Sequence, residues 1–180
     1  EADWRRDIAQ RSATLVKDTQ GLLPLRPRTH RRALVYALES APTFYDPTPS
    51  LLPLFVERLR GRGLEVEVRT VPGNTTTPAE AERLHERFDV CVYFTDLRFV
   101  GNANHSRIAW SPWQGHDAPR HVASLPTALV SIADPYVLQD MPMIRTAINC
   151  YTPTTASVEA AVELLFGDRP AVGVSPIDPF

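Results

Sequence analysis

The sequence predicts an α/β fold: a three-layer α/β/α sandwich with a mostly parallel sheet of five to six strands and helices on both faces. Short, continuously apolar runs recur along the chain, as in strands that are covered on both sides. Helical segments alternate with these runs, an order that is typical of parallel sheets. The 180 residues, 43% of them apolar, fit one domain with a sizeable core.

In the first half of the chain, the apolar pattern predicts a helix, a buried strand, a second helix and an edge strand. The first helix carries an apolar stripe at helical spacing. Ser50 can cap the second helix, and Pro53 lies in its first turn, where a missing N–H is harmless. The edge strand alternates apolar and polar residues, so one of its faces is solvated. These segments are Trp4–Lys17, Arg32–Leu38, Leu51–Leu59 and Leu64–Val71.

The second half supplies a third helix, three further buried strands and a last helix. The third helix begins with the capping box Thr77–Glu80, which has proline at the first helical position. The last helix has apolar residues at i, i+3, i+4 and i+7 from Val158 and ends at Gly167. The strands are Val90–Phe94, Ala128–Ile132 and Thr146–Tyr151.

Charge and hydropathy exclude several function classes. A net charge of −2 gives no electrostatic case for binding nucleic acid or an anionic membrane. The sequence contains no run of about 18 apolar residues, the length that would span a bilayer.

The chain begins at Glu1 without a signal peptide, so we expect a processed product or an excised piece, and its localisation, cytoplasmic or secreted, stays open. Cys91 and Cys150 are predicted to be buried thiols, with a disulfide between neighbouring strands as the alternative.

A ligand site is predicted at the carboxyl ends of the strands, where open α/β sheets bind ligands. Two long loops leave this edge, Ser40–Pro49 and Asp96–Asp117. Aromatic rings, amides and an arginine suit a sugar, which has an apolar face and a rim of hydroxyls. The alternative is that Trp110 and Trp113 simply pack beneath a long loop. The candidate substrate-binding residues are Asp46, Arg98, Asn104, His105 and Trp110.

Other kinds of site find no support, and we predict neither a cofactor nor a metal. The first strand is followed by Glu39–Pro42 rather than by a G-x-G-x-x-G turn, and the sequence has no Walker A motif and no G-x-S-x-G elbow. The spacing of His105, His116, Asp117 and His121 matches no standard metal site. A flavodoxin-like nucleotide or flavin binder remains the third-ranked alternative.

The two ends of the chain resemble one domain of a known family. Residues Ile8–Asp18 and Gly21–Leu25 resemble the segment that leaves the catalytic barrel of family 3 glycoside hydrolases and enters their second, α/β-sandwich domain. Residues Ser157–Gly167 and Gly173–Ile177 resemble the last helix and strand of that domain. The resemblance implies that residues 1–25 are a linker and entry helix from a missing barrel, and that 26–180 form a single sandwich domain.

The middle of the chain is similar to the β-N-acetylglucosaminidase branch of the family. Ala128–Tyr136 resembles its buried strand and Pro-Tyr turn, and Cys150–Ala160 is similar to its Tyr-x-x-x-x-x-Ser-x-x-Ala pattern. Neither the barrel motif Lys-His-Phe-Pro-Gly-His-Gly nor the Asp-Ser-His loop is present. The Asp96–Asp117 loop also lacks the acid/base Glu of the β-glucosidase branch. The resemblance therefore implies that this chain has no catalytic residue.

From this resemblance we expect a non-catalytic C-terminal domain of a β-N-acetylglucosaminidase-like enzyme, inactive by itself. Its partners would be the N-terminal TIM barrel of the same parent chain and an N-acetylglucosamine-containing sugar. It would contribute interdomain packing or a sugar subsite. The alternative is a free-standing carbohydrate-binding or interaction module of the same fold.

Overall fold

A six-stranded sheet forms the centre of the molecule. The computed structural model describes residues 2–40, 44, 47–71, 77–98, 107, 108, 110 and 118–180. Its strand order is β1-β6-β5-β4-β2-β3; every neighbouring pair is parallel except β1 and β6, which are antiparallel. The strands are β1 Thr14–Asp18, β2 Arg32–Glu39, β3 Glu65–Thr70, β4 Val90–Asp96, β5 Thr127–Ser131 and β6 Thr146–Asn149.

Helices cover both faces of the sheet. They are α1 Ala2–Ser12, α2 Leu52–Gly61, α3 Pro78–Arg87 and α4 Thr155–Phe166, with 3₁₀ helices at Arg120–Ala123 and Val137–Asp140. On one face, α1, α2 and α4 bury Ala9, Phe55 and Val158 against β2, β4, β5 and β6. On the other face, Leu84 of α3 and Leu138 of a 3₁₀ helix pack over the same strands. The arrangement confirms the predicted α/β sandwich and the edge position of β3.

The helix predicted over Trp4–Lys17 is wrong in its second half. The chain leaves α1 after Ser12, and residues 14–18 form β1 instead. Leu15 packs against one core cluster and Val16 against the other, as alternate residues of a strand do. Pairing with β6 completes the sheet and outweighs the local helical pattern. The boundary between a linker over residues 1–25 and a domain over residues 26–180 stays a prediction. Strand β1, which lies within the predicted linker, belongs to the same sheet as the strands of residues 26–180.

Local sequence signals set the helix boundaries. The Thr77 side chain caps α3 by accepting a hydrogen bond from the Glu80 N–H at 3.2 Å. At α2 the predicted cap is off by one residue: the N-cap is Leu51, and Ser50 Oγ, just before it, accepts a hydrogen bond from the Leu52 N–H at 3.1 Å. At the end of α4, Gly167 has φ 70°, a left-handed conformation that glycine adopts without strain. None of the helices within the described ranges is long and apolar enough to cross a membrane.

The C-terminal tail lies close against the start of β1. A Cβ atom added to Gly173 would stand 2.5 Å from the Ala13 carbonyl oxygen and 2.7 Å from Thr14 Oγ1. Lys17, further along β1, has its ammonium 5.9 Å from the ring centroid of Phe180. The tail therefore packs beside an edge strand, a position that hinders unwanted pairing with other chains.

Replacing Gly173 by alanine should lower the free energy of unfolding by about 1–3 kcal/mol, because the new methyl group would overlap the backbone. Urea unfolding of the two proteins measures the difference. Gly61→Ala is the matched control: a Cβ there would meet nothing within 4 Å, so this variant should be neutral or stabilised by about 0.5–1 kcal/mol. Equal free energies of unfolding for the two variants would mean that the tail does not pack against the start of β1 at Gly173.

Candidate functional site

The loops that follow β2 and β4 begin side by side at the carboxyl edge of the sheet. The Ser40 N–H donates to the Asp96 carbonyl oxygen at 3.0 Å, and the Arg98 N–H donates to Ser40 Oγ at 2.9 Å. These bonds continue the parallel β2–β4 pairing beyond its last register pair, Glu39 and Asp96. We call the carboxyl edge formed by Ser40, Asp96 and Arg98 the rim.

A buried ion pair holds the rim. Arg98 Nε donates to Asp96 Oδ1 at 2.8 Å, and Nη2 donates to Oδ2 at 2.5 Å, a bidentate geometry. Arg98 Nη1 also donates to the Thr48 carbonyl oxygen at 3.3 Å, which connects the pair to the first loop. The Arg98 and Asp96 side chains are only 10% and 2% exposed. The arginine therefore fastens the two loops together.

The predicted site residues are only partly within the described ranges. Arg98 faces Asp96 and Thr48, so its guanidinium is occupied by protein acceptors. Trp110 is partly buried and packs against the core cluster on the α3 face, as the packing alternative expected. Asp46, Asn104 and His105 lie outside the described residues. Sugar contact by any of the five stays a prediction.

A second polar cluster lies where β5 and β6 end. Ser131 Oγ donates to the Asp134 carbonyl oxygen at 2.5 Å, and Asn149 Nδ2 donates to the Pro135 carbonyl oxygen at 2.9 Å. These bonds hold the Pro-Tyr turn, leaving Tyr136 46% exposed. Ser131 and Asn149 are not among the site residues predicted from the sequence. Their position, as polar residues at the ends of apolar strands, could have indicated them. They extend the polar carboxyl edge beyond the two loops.

Tyr151, just past β6, adopts a conformation that is uncommon for a residue with a side chain. Its φ is 64°, in the left-handed region. Its hydroxyl is buried and finds no hydrogen-bond partner within the described part of the chain. Both features carry an energetic penalty, and such penalties concentrate at functional sites.

An anchor beyond β5 holds residues 107 and 108. Arg107 forms an ion pair with Asp140 at the end of the second 3₁₀ helix. The other carboxylate oxygen, Oδ2, accepts a hydrogen bond from the Ile108 N–H at 3.1 Å. The Asp140 side chain is largely buried, whereas that of Arg107 is about half exposed. The pair therefore fixes this part of the second loop against the segment that follows β5.

Both cysteines are buried free thiols, which confirms the prediction. Burial raises the pKa of the Cys150 thiol to about 12 and that of Cys91 well above its usual range, so both are protonated at neutral pH. Within the ranges that the structure describes, no group of three His, Cys, Asp or Glu side chains could hold a metal ion.

Comparison with known proteins identifies similar domains. No family model matches the chain. The chain is 34% identical over 179 residues to a β-N-acetylglucosaminidase/β-glucosidase of Cellulomonas fimi, a match that covers 97% of this chain and 32% of that protein. A solved β-glucoside phosphorylase superposes with a TM-score of 0.83 at 32% identity, over 99% of this chain and 32% of its own.

A family 3 β-N-acetylglucosaminidase from a Paenibacillus species has the same fold, with a TM-score of 0.67 and 19% identity over 94% of this chain and 31% of its own. The chain thus spans about a third of the length of the relatives it matches. These similarities confirm the resemblance that was expected from the flanking motifs, and they support a larger parent protein.

Proposed function

We propose that this chain, a domain of a glycoside hydrolase family 3 protein, serves as the non-catalytic C-terminal domain of a β-N-acetylglucosaminidase-like enzyme. One observation carries the proposal: the chain aligns from end to end with only 32% of its relatives. The remaining two thirds of those relatives have room for a barrel of about 250 residues. The catalytic groups of the parent enzyme, and its TIM barrel, would lie in that remaining part.

The role of the rim in this proposal is to pack against the barrel. Two exposed rings stand at the carboxyl edge, Phe44 at 93% exposure and Tyr136 at 46%. The charged groups of the rim are already paired: Asp96 accepts hydrogen bonds from Nε and Nη2 of Arg98. An edge that exposes rings while satisfying its own charges suits a protein interface, since such interfaces are enriched in aromatic residues and depleted of charge at their centre.

The isolated chain should not hydrolyse chromogenic N-acetylglucosaminides or glucosides, but it should bind a separately expressed barrel of the parent protein. We expect Phe44→Ser and Tyr136→Ser to weaken that binding, measured by calorimetry, because each removes an exposed ring from the interface. Met143→Ser is the matched control, since Met143 is 45% exposed and lies just before β6, at the amino edge of the sheet. Turnover by the chain alone that disappears on mutating Asp46, Asp96 or Asp117 would contradict the proposal.

Three further observations separate the alternatives. In an NMR titration with N-acetylglucosamine, shifts confined to residues 40–49 and 96–117 would support a sugar subsite at the rim. A start codon immediately before Glu1 would favour a free-standing binding module, whereas a barrel-length reading frame upstream would support the proposal. A melting temperature raised by flavin mononucleotide or nucleotides would instead indicate a flavodoxin-like binder.

A further inference from the structure

His121 is a buried imidazole in a stack of three rings on the α3 face of the sheet. Its ring centroid lies 5.9 Å from that of Tyr36 on β2 and 6.0 Å from that of Tyr93 on β4, and the two tyrosine rings stack at 5.0 Å. The residue is 3% exposed. Its Nε2 atom has no hydrogen-bond partner in the described part of the structure. Packing between rings, rather than a hydrogen bond at Nε2, therefore holds this side chain in place.

Among the described residues, the surroundings of His121 provide no counter-charge for a proton. The face of α3 that is buried here consists of Ala81 and Leu84. On β3, the guanidinium of Arg69 is bound to Glu67 and Glu80, and Arg120 on the same 3₁₀ helix as His121 is exposed. No salt bridge to His121 is found among the described residues. The ionisable groups on the surrounding elements are Arg32, Tyr36 and Glu39 on β2, Glu65, Glu67 and Arg69 on β3, Cys91, Tyr93 and Asp96 on β4, Glu80, Glu82, Arg83, His85, Glu86 and Arg87 on α3, and Arg120 on the same 3₁₀ helix.

Burial therefore disfavours the protonated ring. It lowers the pKa of His121 from the usual 6.5 to about 4. Attraction between an imidazolium and the two tyrosine rings offsets little of this effect, because both centroid distances are at the outer limit of about 6 Å for cation–π contacts. In solvent the same side chain would take up a proton near pH 6.5.

We propose that His121 makes the docking of the 3₁₀ helix Arg120–Ala123 pH-dependent. The helix packs on the sheet while the ring is neutral and opens locally in mildly acidic solution, where the released imidazole binds a proton. The His121 carbonyl oxygen accepts hydrogen bonds from the Ser124 and Leu125 N–H groups at 3.0 and 2.8 Å, so opening also exposes these two amides. This device is independent of the function proposed for the rim.

The direction and size of the effect follow from proton linkage. The open segment binds the proton more tightly than the docked one, so docking is unaffected above pH 6.5 and weakens steadily as the pH falls toward 4. Between pH 7.5 and pH 5, the opening equilibrium constant should rise about 30-fold.

Hydrogen exchange of the Ser124 and Leu125 amides tests this inference. The exchange rates are measured by mass spectrometry at pH 7.5 and 5.0, and each is divided by the intrinsic rate at that pH. Wild type should show an opening about 30-fold more favourable at pH 5.0. His121→Phe keeps a ring but cannot titrate, so its opening should not change with pH. His85→Gln, at an exposed position of α3, is the control and should behave like wild type.

Equal acid sensitivity in wild type and His121→Phe would overturn the proposal, as would an opening in wild type that does not change with pH. If the phenylalanine variant does not fold, the wild-type His121 ring signal in an NMR pH titration decides. Titration near pH 4 would support the device, and titration at 6.5 or above would refute it.

Discussion

Replacing Asp96 by alanine should lower the free energy of unfolding by about 3–5 kcal/mol, because it would leave the Arg98 guanidinium buried without its carboxylate. Nε and Nη2 of the guanidinium donate to Asp96, at 2.8 and 2.5 Å. Solvent cannot replace the lost acceptor, since Arg98 keeps only 10% of its side-chain surface exposed. Urea unfolding followed by tryptophan fluorescence or circular dichroism measures the loss.

A double variant separates the effect of removing the carboxylate alone from the effect of removing both members of the ion pair. Asp96→Ala combined with Arg98→Met removes both charges and should recover most of the lost stability. Glu65→Ala is the matched control, because the Arg31–Glu65 pair is exposed on both sides and should contribute less than about 1 kcal/mol. If Asp96→Ala and Glu65→Ala cost the same, the rim ion pair does not have the role assigned to it.

The sequence pattern predicts a strand where it also shows which faces of that strand are buried. The continuously apolar β2 and β4 must be covered on both faces, and the alternating residues of β3 require one solvated face. Strand β1 could not be predicted in this way. Its five residues follow a helix directly and carry apolar side chains that fit either periodicity. Only the β6 edge, more than 120 residues later, selects the strand.

The position of the rim was predictable from sheet topology, but the roles of its residues were not. Asp96 is the last residue of β4 and Arg98 follows two positions later, a spacing that places side chains on the same face of an extended chain. That spacing was a usable signal for an internal pair. The residue types alone, an aspartate and an arginine in a loop, equally suit a hydroxyl-rich ligand. The burial of both side chains favours the internal ion pair over a ligand contact. That burial depends on how the two loops pack together, which the local sequence does not determine.

Helix α2 packs on the sheet through an aromatic contact. Phe55 is fully buried, and its ring stacks on that of Phe94 in β4 with centroids 4.7 Å apart. Leu59, one turn further along α2, is also fully buried on this face. Since α2 follows directly from the loop that begins at Ser40, its packing determines where that loop must end.

Phe55→Ala should therefore lower the free energy of unfolding by about 3–5 kcal/mol, because the surrounding core cannot fill the space of a deleted ring. Phe55→Leu keeps most of the volume and should lose clearly less. Phe44→Ala removes the same side chain from a position that is 93% exposed and should change stability by no more than about 0.5 kcal/mol. Urea midpoints at constant m-value give all three differences. A loss below 1 kcal/mol for Phe55→Ala would mean that α2 is not held to the sheet by this ring.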